Sequence, residues 1–420
     1  MISTRAVLIG VDIATAPLPI TTSLDELEAL AKTAGIQTIT RVTQKRDMPH
    51  PASYLGSGKL DELALLLTHI IDTTTDTIII IADDELRPRQ LTQLQKRLNC
   101  KILDRTSLIL DIFATRAQTH EAKIQVELAQ LTYLSTRLTR LWTHLSRLGG
   151  GGVGTRGPGE KQLEVDKRLN RARIKQLKSH LQAVRKNREI HRLGRAKRPY
   201  LVGCLIGYTN AGKSTLFNAL TNSDTLVADQ LFATLDPTTR KVSLGDAPPL
   251  LLTDTVGFIQ KLPTLLIDAF QATIESIYDA DFFIHVIDSA APLATQAVHI
   301  QTTEAVLHQQ NHPVFYVFNK ADSATSTADL AEQYTPSQCV SAYNPDDIAR
   351  LKPKLQDFVR QFERVIQVSV PYTHDYIRHQ LHQHGHVLAE DAGPEASQLT
   401  VRIEPIIGAK IMAGLPTNTI

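Results

Sequence analysis

Gly207-Tyr208-Thr209-Asn210-Ala211-Gly212-Lys213-Ser214 matches G-x-x-x-x-G-K-[ST], the signature of a loop that wraps phosphate. The apolar run from Tyr200 to Ile206 predicts a buried strand before it, and Ser214 to Leu220 predicts a helix after it. That strand, loop and helix order is what the motif requires. Gly207 and Gly212 let the backbone curl so that successive N–H groups face phosphate oxygens. The helix start adds the positive end of its dipole. Lys213 predicts an ammonium on the β- and γ-phosphates, and the Ser214 hydroxyl a ligand for Mg²⁺, with Thr215 completing the loop.

Three further motifs follow in the order a guanine-nucleotide switch needs. Asp254-Thr255-Val256-Gly257 ends an apolar run, Leu250 to Thr253. Asp254 is expected to hold Mg²⁺ through water, and the Gly257 amide to sense the γ-phosphate. Asn319-Lys320-Ala321-Asp322 ends the run Val314 to Phe318. A carboxylate there accepts from both N–H donors on guanine, a pair that adenine lacks. Ser341-Ala342 is expected against the guanine carbonyl. Between the phosphate loop and Asp254 lies the switch stretch Phe232-Ala233-Thr234-Leu235-Asp236. Thr234 is the first choice to close on the γ-phosphate and Mg²⁺, with Thr238 or Thr239 as alternatives. Phe258 follows Gly257, where many GTPases carry a water-orienting Gln, so slow intrinsic hydrolysis completed by a partner is expected.

Upstream, residues 1–116 alternate strand-like and helix-like runs, the order of an α/β domain with a largely parallel sheet. Strands are expected at Ala6 to Ile13, Ile36 to Val42, Thr77 to Ala82 and Lys101 to Leu103. Ser23-Leu24-Asp25-Glu26 reads as a capping box starting a helix that Gly35 stops. Gly56-Ser57-Gly58-Lys59 lacks a preceding strand and is a weak candidate for a second phosphate site. Asp83-Asp84-Glu85 reads as a solvated turn or helix cap rather than a metal site.

Residues 117–198 change character. Leucines from Ile124 to Leu148 recur at spacings of three and four, and a second set runs from Leu163 to Val184, with Leu169 and Ile174 near its seam. The glycine-rich stretch from Gly149 to Gly159 cannot be helix, so an antiparallel helical hairpin with a glycine-rich tip is expected. From Arg137 to Arg198 there are eighteen Lys or Arg against four Asp or Glu. A solvated helix face normally mixes signs, so this excess predicts a polyanion partner. Aromatics are scarce (Trp142 stands in the seam), which favours contact with the backbone of structured RNA over base stacking. Arg156, Lys161, Arg168, Arg171, Lys175, Lys178, Arg185 and Lys186 are the candidate contacts.

Residues 199–363 read as a three-layer nucleotide domain and residues 364–420 as a small α+β domain. The latter gathers His374, His379, His382, His384 and His386 without a firm ligand pattern. Overall the chain has 45 Lys and Arg against 43 Asp and Glu, and 42% apolar residues, ordinary for a folded soluble protein. No apolar run is long enough to span a bilayer, which leaves only peripheral membrane association open. Cys100, Cys204 and Cys339 form no C-x-x-C and read as reduced core thiols of a cytoplasmic protein.

The chain resembles the HflX family of GTPases, a branch close to the Obg group. The resemblance rests on Asp104-Arg105-Thr106, Leu110 to Ala114, Gln125 to Leu131, Gly154 to Glu160, Gly207 to Thr215, Leu231 to Arg240 and Asp254 to Ile259. It implies an N-terminal α/β domain, a helical hairpin, a P-loop GTPase domain and a variable C-terminal domain. It also implies GTP and GDP as ligands, Mg²⁺ as cofactor, and a monomer that binds the large ribosomal subunit and its RNA. Ribosome-stimulated GTP hydrolysis and the splitting of stalled ribosomes under stress are further implications, with the glycine-rich tip reaching toward the peptidyl-transferase region. Lys161 stands where the family usually has Thr, and Ile274 and Ser276 depart from a usual Thr-Leu-Glu-Glu stretch. A large-subunit assembly factor is the alternative reading. An RNA remodeller with a secondary ATPase activity is the other; Asn319-Lys320-Ala321-Asp322 argues against ATP-driven remodelling as the main activity, and the N-terminal α/β domain could hold a second nucleotide.

Overall fold

The structure is a computed structural model that describes residues 4–73, 76–141, 158–195, 200–222, 231–244, 250–261, 280–307, 312–324 and 328–415. The chain divides into two compact units, and it crosses between them several times. Unit 1 holds residues 1–184 with 229–236 and 260–271; unit 2 holds 185–228, 237–259 and 272–420.

Unit 1 is built on β1 (Thr4–Asp12), β2 (Gln37–Lys45), β3 (Thr77–Ala82) and β4 (Lys101–Asp104), in the order β2-β1-β3-β4 and parallel throughout. Val7, Ile9, Val11, Ile78 and Ile80 face one way. They are covered by Leu60, Leu63 and Leu67 of α2 (Ser57–Thr73) and by Leu94 and Leu98 of α3 (Pro88–Leu98). On the other face α1 (Ile20–Thr33) packs so closely that a Cβ on Gly10 would lie 2.9 Å from Ile20.

One expectation fails here, and one element was not foreseen. The helix α1 begins a turn before Ser23, capped at Pro19, and Ser23 is buried inside it with its hydroxyl donating to Asp83 at 2.7 Å. A further helix, α4 (Arg105–Arg116), follows β4 directly and buries Leu108, Ile109, Ile112 and Phe113. It starts with Asp104 and Ser107 each accepting the other's backbone N–H at 2.9 Å, a capping box whose serine is not the Glu or Gln usually sought.

The hairpin helices are α5 (His120–Leu141) and α6 (Pro158–Arg195). Ile124 meets Leu177 and Leu181 in a small core with Leu128 and Leu131 beside it. Glu127 accepts two bonds from Arg173, at 2.7 and 3.0 Å. Leu134 and Leu169, read as seam residues, are exposed instead. The tip, Trp142 and Arg156 lie outside the described residues.

Unit 2 contains a six-stranded sheet in the order β10-β9-β8-β5-β7-β6. Its strands are β5 (Val202–Gly207), β6 (Thr238–Val242), β7 (Leu250–Asp254), β8 (Phe282–Asp288), β9 (Val314–Asn319) and β10 (Ser337–Cys339). Only the edge strand β6 runs antiparallel to its neighbour. One face carries α7 (Lys213–Thr221) and α10 (Pro345–Arg360), which bury Leu216, Phe217, Leu351 and Leu355 against Leu205, Leu252 and Ile284. The other face carries α8 (Leu293–Leu307) and the short α9 (Ala328–Gln333), with Ile300 and Ala331 on Ile287 and Phe318. This is the three-layer arrangement of a P-loop GTPase.

The chain then forms an antiparallel sheet, β11-β13-β12, from β11 (Arg364–Pro371), β12 (His386–Ala392) and β13 (Ala396–Ile403). The helices α11 (Asp375–His384) and α12 (Pro405–Met412) close its core around Val368, Leu381, Val401 and Ile411. The histidines here have separate partners. His382 meets Glu390 at 2.8 Å, and buried His384 packs edge-on to Tyr200. Among the described residues no group of three or more His, Cys, Asp or Glu is placed to hold a metal ion.

Candidate functional site

The site is assembled at the C-terminal ends of β5, β7 and β9, where open α/β sheets place their ligands. Two glycines decide its shape. Gly207 has φ +143°, and a Cβ on it would fall 2.2 Å from the Val286 carbonyl oxygen. Gly212 has φ +88°, and a Cβ there would fall 2.2 Å from Asn319 Nδ2. Both conformations and both approaches exclude a side chain. Asn210 also takes a left-handed conformation at φ +60°. The loop therefore curls into the start of α7, whose first N–H groups have no carbonyl partner within the helix. That cradle fits a polyphosphate.

Lys213 reaches back over the loop. Its Nζ donates to the carbonyls of Tyr208 at 2.7 Å and Gly207 at 3.2 Å. It is 6% exposed, and burial lowers its ammonium to about 8 against the opposing pull of Asp254. The Ser214 hydroxyl donates to Asp254 Oδ2 at 2.7 Å. A hydroxyl beside a carboxylate is a hard oxygen pair, the donor chemistry that suits Mg²⁺. Thr255 fixes this strand end by donating to the Leu205 carbonyl at 2.5 Å. Buried Val256 leads into Gly257, where a Cβ would meet Thr209 Cα at 2.7 Å and Lys213 Nζ at 2.8 Å. Phe258 is bound by its backbone to the loop, donating to the Gly207 carbonyl at 3.0 Å and accepting from Thr209 N at 2.7 Å. Its ring is buried with Cys204, Ile206, Ala280 and Phe283.

The Asn319 side chain locks two loops together. Its Nδ2 donates to the Ala211 carbonyl at 2.9 Å, and its Oδ1 accepts from Ala342 N at 2.9 Å. Lys320, left-handed at φ +62°, pairs with Asp288 at 2.7 Å. Asp322 is exposed, and the Ser341 and Ser323 hydroxyls hold its carboxyl below the usual carboxylate range. Ser341 is itself fixed by Asp347, which accepts from its N–H at 2.8 Å. The sheet thus brings together Lys213, Ser214, Asp254, Asn319, Ser341 and Ala342 from four separate stretches.

The switch stretch belongs to unit 1. Phe232 is 2% exposed, with its ring edge-on to Phe113 at 4.8 Å. Ala233, Thr234 and Leu235 are half-buried. Asp236 accepts from the backbone N–H groups of Gln118 and Thr119, both at 3.1 Å, and from the Thr119 hydroxyl at 2.5 Å. Thr238 and Thr239, the alternative closing threonines, are instead residues of β6, where Thr239 pairs with Thr253 at 2.8 Å.

Further side chains pack around these elements. Tyr208 stacks on His299 with ring centroids 3.6 Å apart. His285 is buried in β8, and burial with Lys213 nearby lowers it to about 3, which keeps it neutral. In unit 1, Asp83 is fully buried rather than a solvated turn residue. It pairs with Arg105 at 2.7 Å, while Lys261 bridges Asp83 and Asp84. Lys59 pairs with Glu62 at 2.8 Å.

Of the candidate RNA contacts, Arg168, Arg171, Lys175, Lys178 and Lys186 are exposed on α6. Lys161 and Arg185 also lie on α6, with side chains outside the described residues.

Residues 21–114 match the family described as GTP-binding GTPase N-terminal, residues 116–195 the GTP-binding GTPase Middle Region, and residues 202–320 the 50S ribosome-binding GTPase. The GTPase HflX of Lacrimispora saccharolytica is 42% identical over 398 residues, covering 94% of this chain and 92% of that protein. The GTPase HflX of Escherichia coli K12 is 45% identical over 300 residues, covering 71% of this chain and 69% of that protein. The solved complex of SsGBP with GDP is 22% identical, with 86% of this chain and 99% of that one covered, at a TM-score of 0.48.

Proposed function

The chain belongs to the GTPase HflX family, and from that premise we propose that it is a GTP-driven switch that binds the large ribosomal subunit and separates stalled ribosomes into subunits. Binding of guanine nucleotide and hydrolysis of GTP are the family's activity. The observation that carries the finer reading is the joint placement of Lys213, Ser214 and Asp254 in a unit whose chain continues from the basic helix α6. The family description of residues 202–320 as a 50S ribosome-binding GTPase supports the choice of partner.

In this reading the loop from Gly207 to Thr215 binds the phosphates, and Lys213 gives its ammonium to the β- and γ-oxygens. Ser214 and Asp254 would hold Mg²⁺, Asp254 through water, and Thr234 would close on the same oxygens. When bound, the ion would supply positive charge to the phosphate oxygens. The Gly257 amide donates to the γ-phosphate, so its loss on hydrolysis releases both switch stretches. Asp322 reads the guanine edge, with Ser341 and Ala342 beside it. Phe258, buried in the core, presents no polar group to a water molecule, so intrinsic hydrolysis is slow and the ribosome stimulates it.

The exposed cations Arg168, Arg171, Lys175, Lys178 and Lys186 meet ribosomal RNA through its phosphates. Mixing intact ribosomes with the protein and GTP should lower light scattering as subunits separate, and charge reversal at Lys175, Lys178 and Lys186 should weaken binding and flatten its salt dependence. Binding to immature large subunits without dissociation would favour a role in assembly instead.

A further inference from the structure

We propose that Asp236 and Phe232 are positioning residues for GTP hydrolysis, fixing the Thr234 segment to the first helix of the basic hairpin. The inference rests on the reading of Thr234 as the threonine that closes on the γ-phosphate.

The argument starts with the carboxylate. Asp236 makes three hydrogen bonds, all to residues at the N-terminal end of α5, the helix of 22 residues that opens the hairpin. A negative charge is favoured there, because the helix end concentrates unpaired N–H groups and the positive pole of the dipole. Thr119 already serves that end by itself, accepting from Ala122 N at 3.1 Å. The helix therefore has its own cap, and what the Asp236 bonds add is a fixed position for Asp236.

Four residues earlier, Phe232 supplies a second anchor. It holds a left-handed conformation, φ +56°, which a phenylalanine adopts only when its surroundings compel it. Its ring is buried, edge-on to Phe113 of α4, and holds the segment there. Thr234 stands midway between the two anchors. A threonine on an unanchored loop would have to lose backbone freedom each time it closed on a phosphate. With both flanks fixed, little of that ordering remains, and a displacement of the start of α5 is passed directly to Thr234.

The experiment is single-turnover GTP hydrolysis by the full chain, read beside GDP affinity with a fluorescent nucleotide and beside thermal melting. Asp236→Ala is expected to slow hydrolysis about tenfold or more while GDP affinity stays within twofold. Thr119→Ala should slow it less, because the backbone N–H groups of Gln118 and Thr119 still hold Asp236, and Thr119→Ser, which keeps the hydroxyl for both Asp236 and Ala122, should restore it. Phe232→Leu serves if Asp236→Ala fails to fold. Thr234→Ala separates the two claims. If it leaves hydrolysis unchanged, the reading of Thr234 fails. If it slows hydrolysis while Asp236→Ala leaves the rate within twofold or raises it, the positioning role is overturned. An equal loss of GDP affinity and rate in Asp236→Ala would also overturn it.

Discussion

Two carboxylates stand at the C-terminal ends of parallel strands, and their surroundings are opposite. Asp83, just past β3, is fully buried and saturated, with Arg105, Lys261 and the Ser23 hydroxyl all on it. Burial alone would raise its carboxyl, and the two cations bring it below the usual carboxylate range. Asp254, at the end of β7, meets a hydroxyl and lies near a lysine whose ammonium is itself depressed by burial. Equivalent sites in two sheets have thus been put to different uses. One spends its charge on its own fold, and the other keeps a hydroxyl and a buried ammonium beside it, the groups we propose for a charged ligand.

The sharpest way to break this contrast is Lys213→Ala. It removes the ammonium that donates to the Tyr208 and Gly207 carbonyls and should reduce guanine-nucleotide affinity at least a hundredfold, while the melting temperature of the free protein stays the same or rises. Nucleotide affinity unchanged by this substitution would end the distinction. Asp83→Ala should do the reverse. It leaves Arg105, only 1% exposed, with Glu26 and Ser23, and should destabilise unit 1 by about 3–5 kcal/mol in denaturant titration, with nucleotide affinity of the folded protein preserved. Because the Asp83 carboxyl is held low, its contribution is present above about pH 3.9 and is lost as pH falls through its folded-state value.

The smallest effect sharpens the comparison from the other side. In the free protein Lys213 is lowered to about 8 from 10.5. Between those values the unfolded chain binds more protons than the folded one, so this residue makes stability rise with pH across that window. A phosphate beside the ammonium raises it again, so binding takes up a proton above pH 8. Affinity should be flat below about pH 8 and fall toward tenfold per unit above it, measurable by fluorescent-nucleotide titration in one buffer series.

Much of this was readable in the chain. The strand before Gly207, the helix after Gly212 and the strand ends carrying Asp254 and Asn319 follow from apolar runs that stop at polar motifs. What was hidden depended on distant partners. Ser23 with Glu26 imitates a helix start, yet tertiary pairing with Asp83 and Arg105 places both inside or against a helix already formed. The edge strand β12 exposes most of its residues, among them Glu390 and Asp391, and so lacks the alternation that marks a half-buried strand. Nothing near Asp236 or Lys261 announces that these residues are held by unit 1, since their partners lie 117 and 178 positions away.

The carboxylate of Asp236 on the start of α5 also bears on how this protein can be taken apart. Its sequence invites a cut after residue 198, between a front half without the phosphate loop and a back half with it. Such a fragment would carry α5 without the acid that sits on its end, and Phe113 without the ring that covers it. Properties measured on the severed front half would describe a different object, because one of its own parts is encoded on the far side of the scissors.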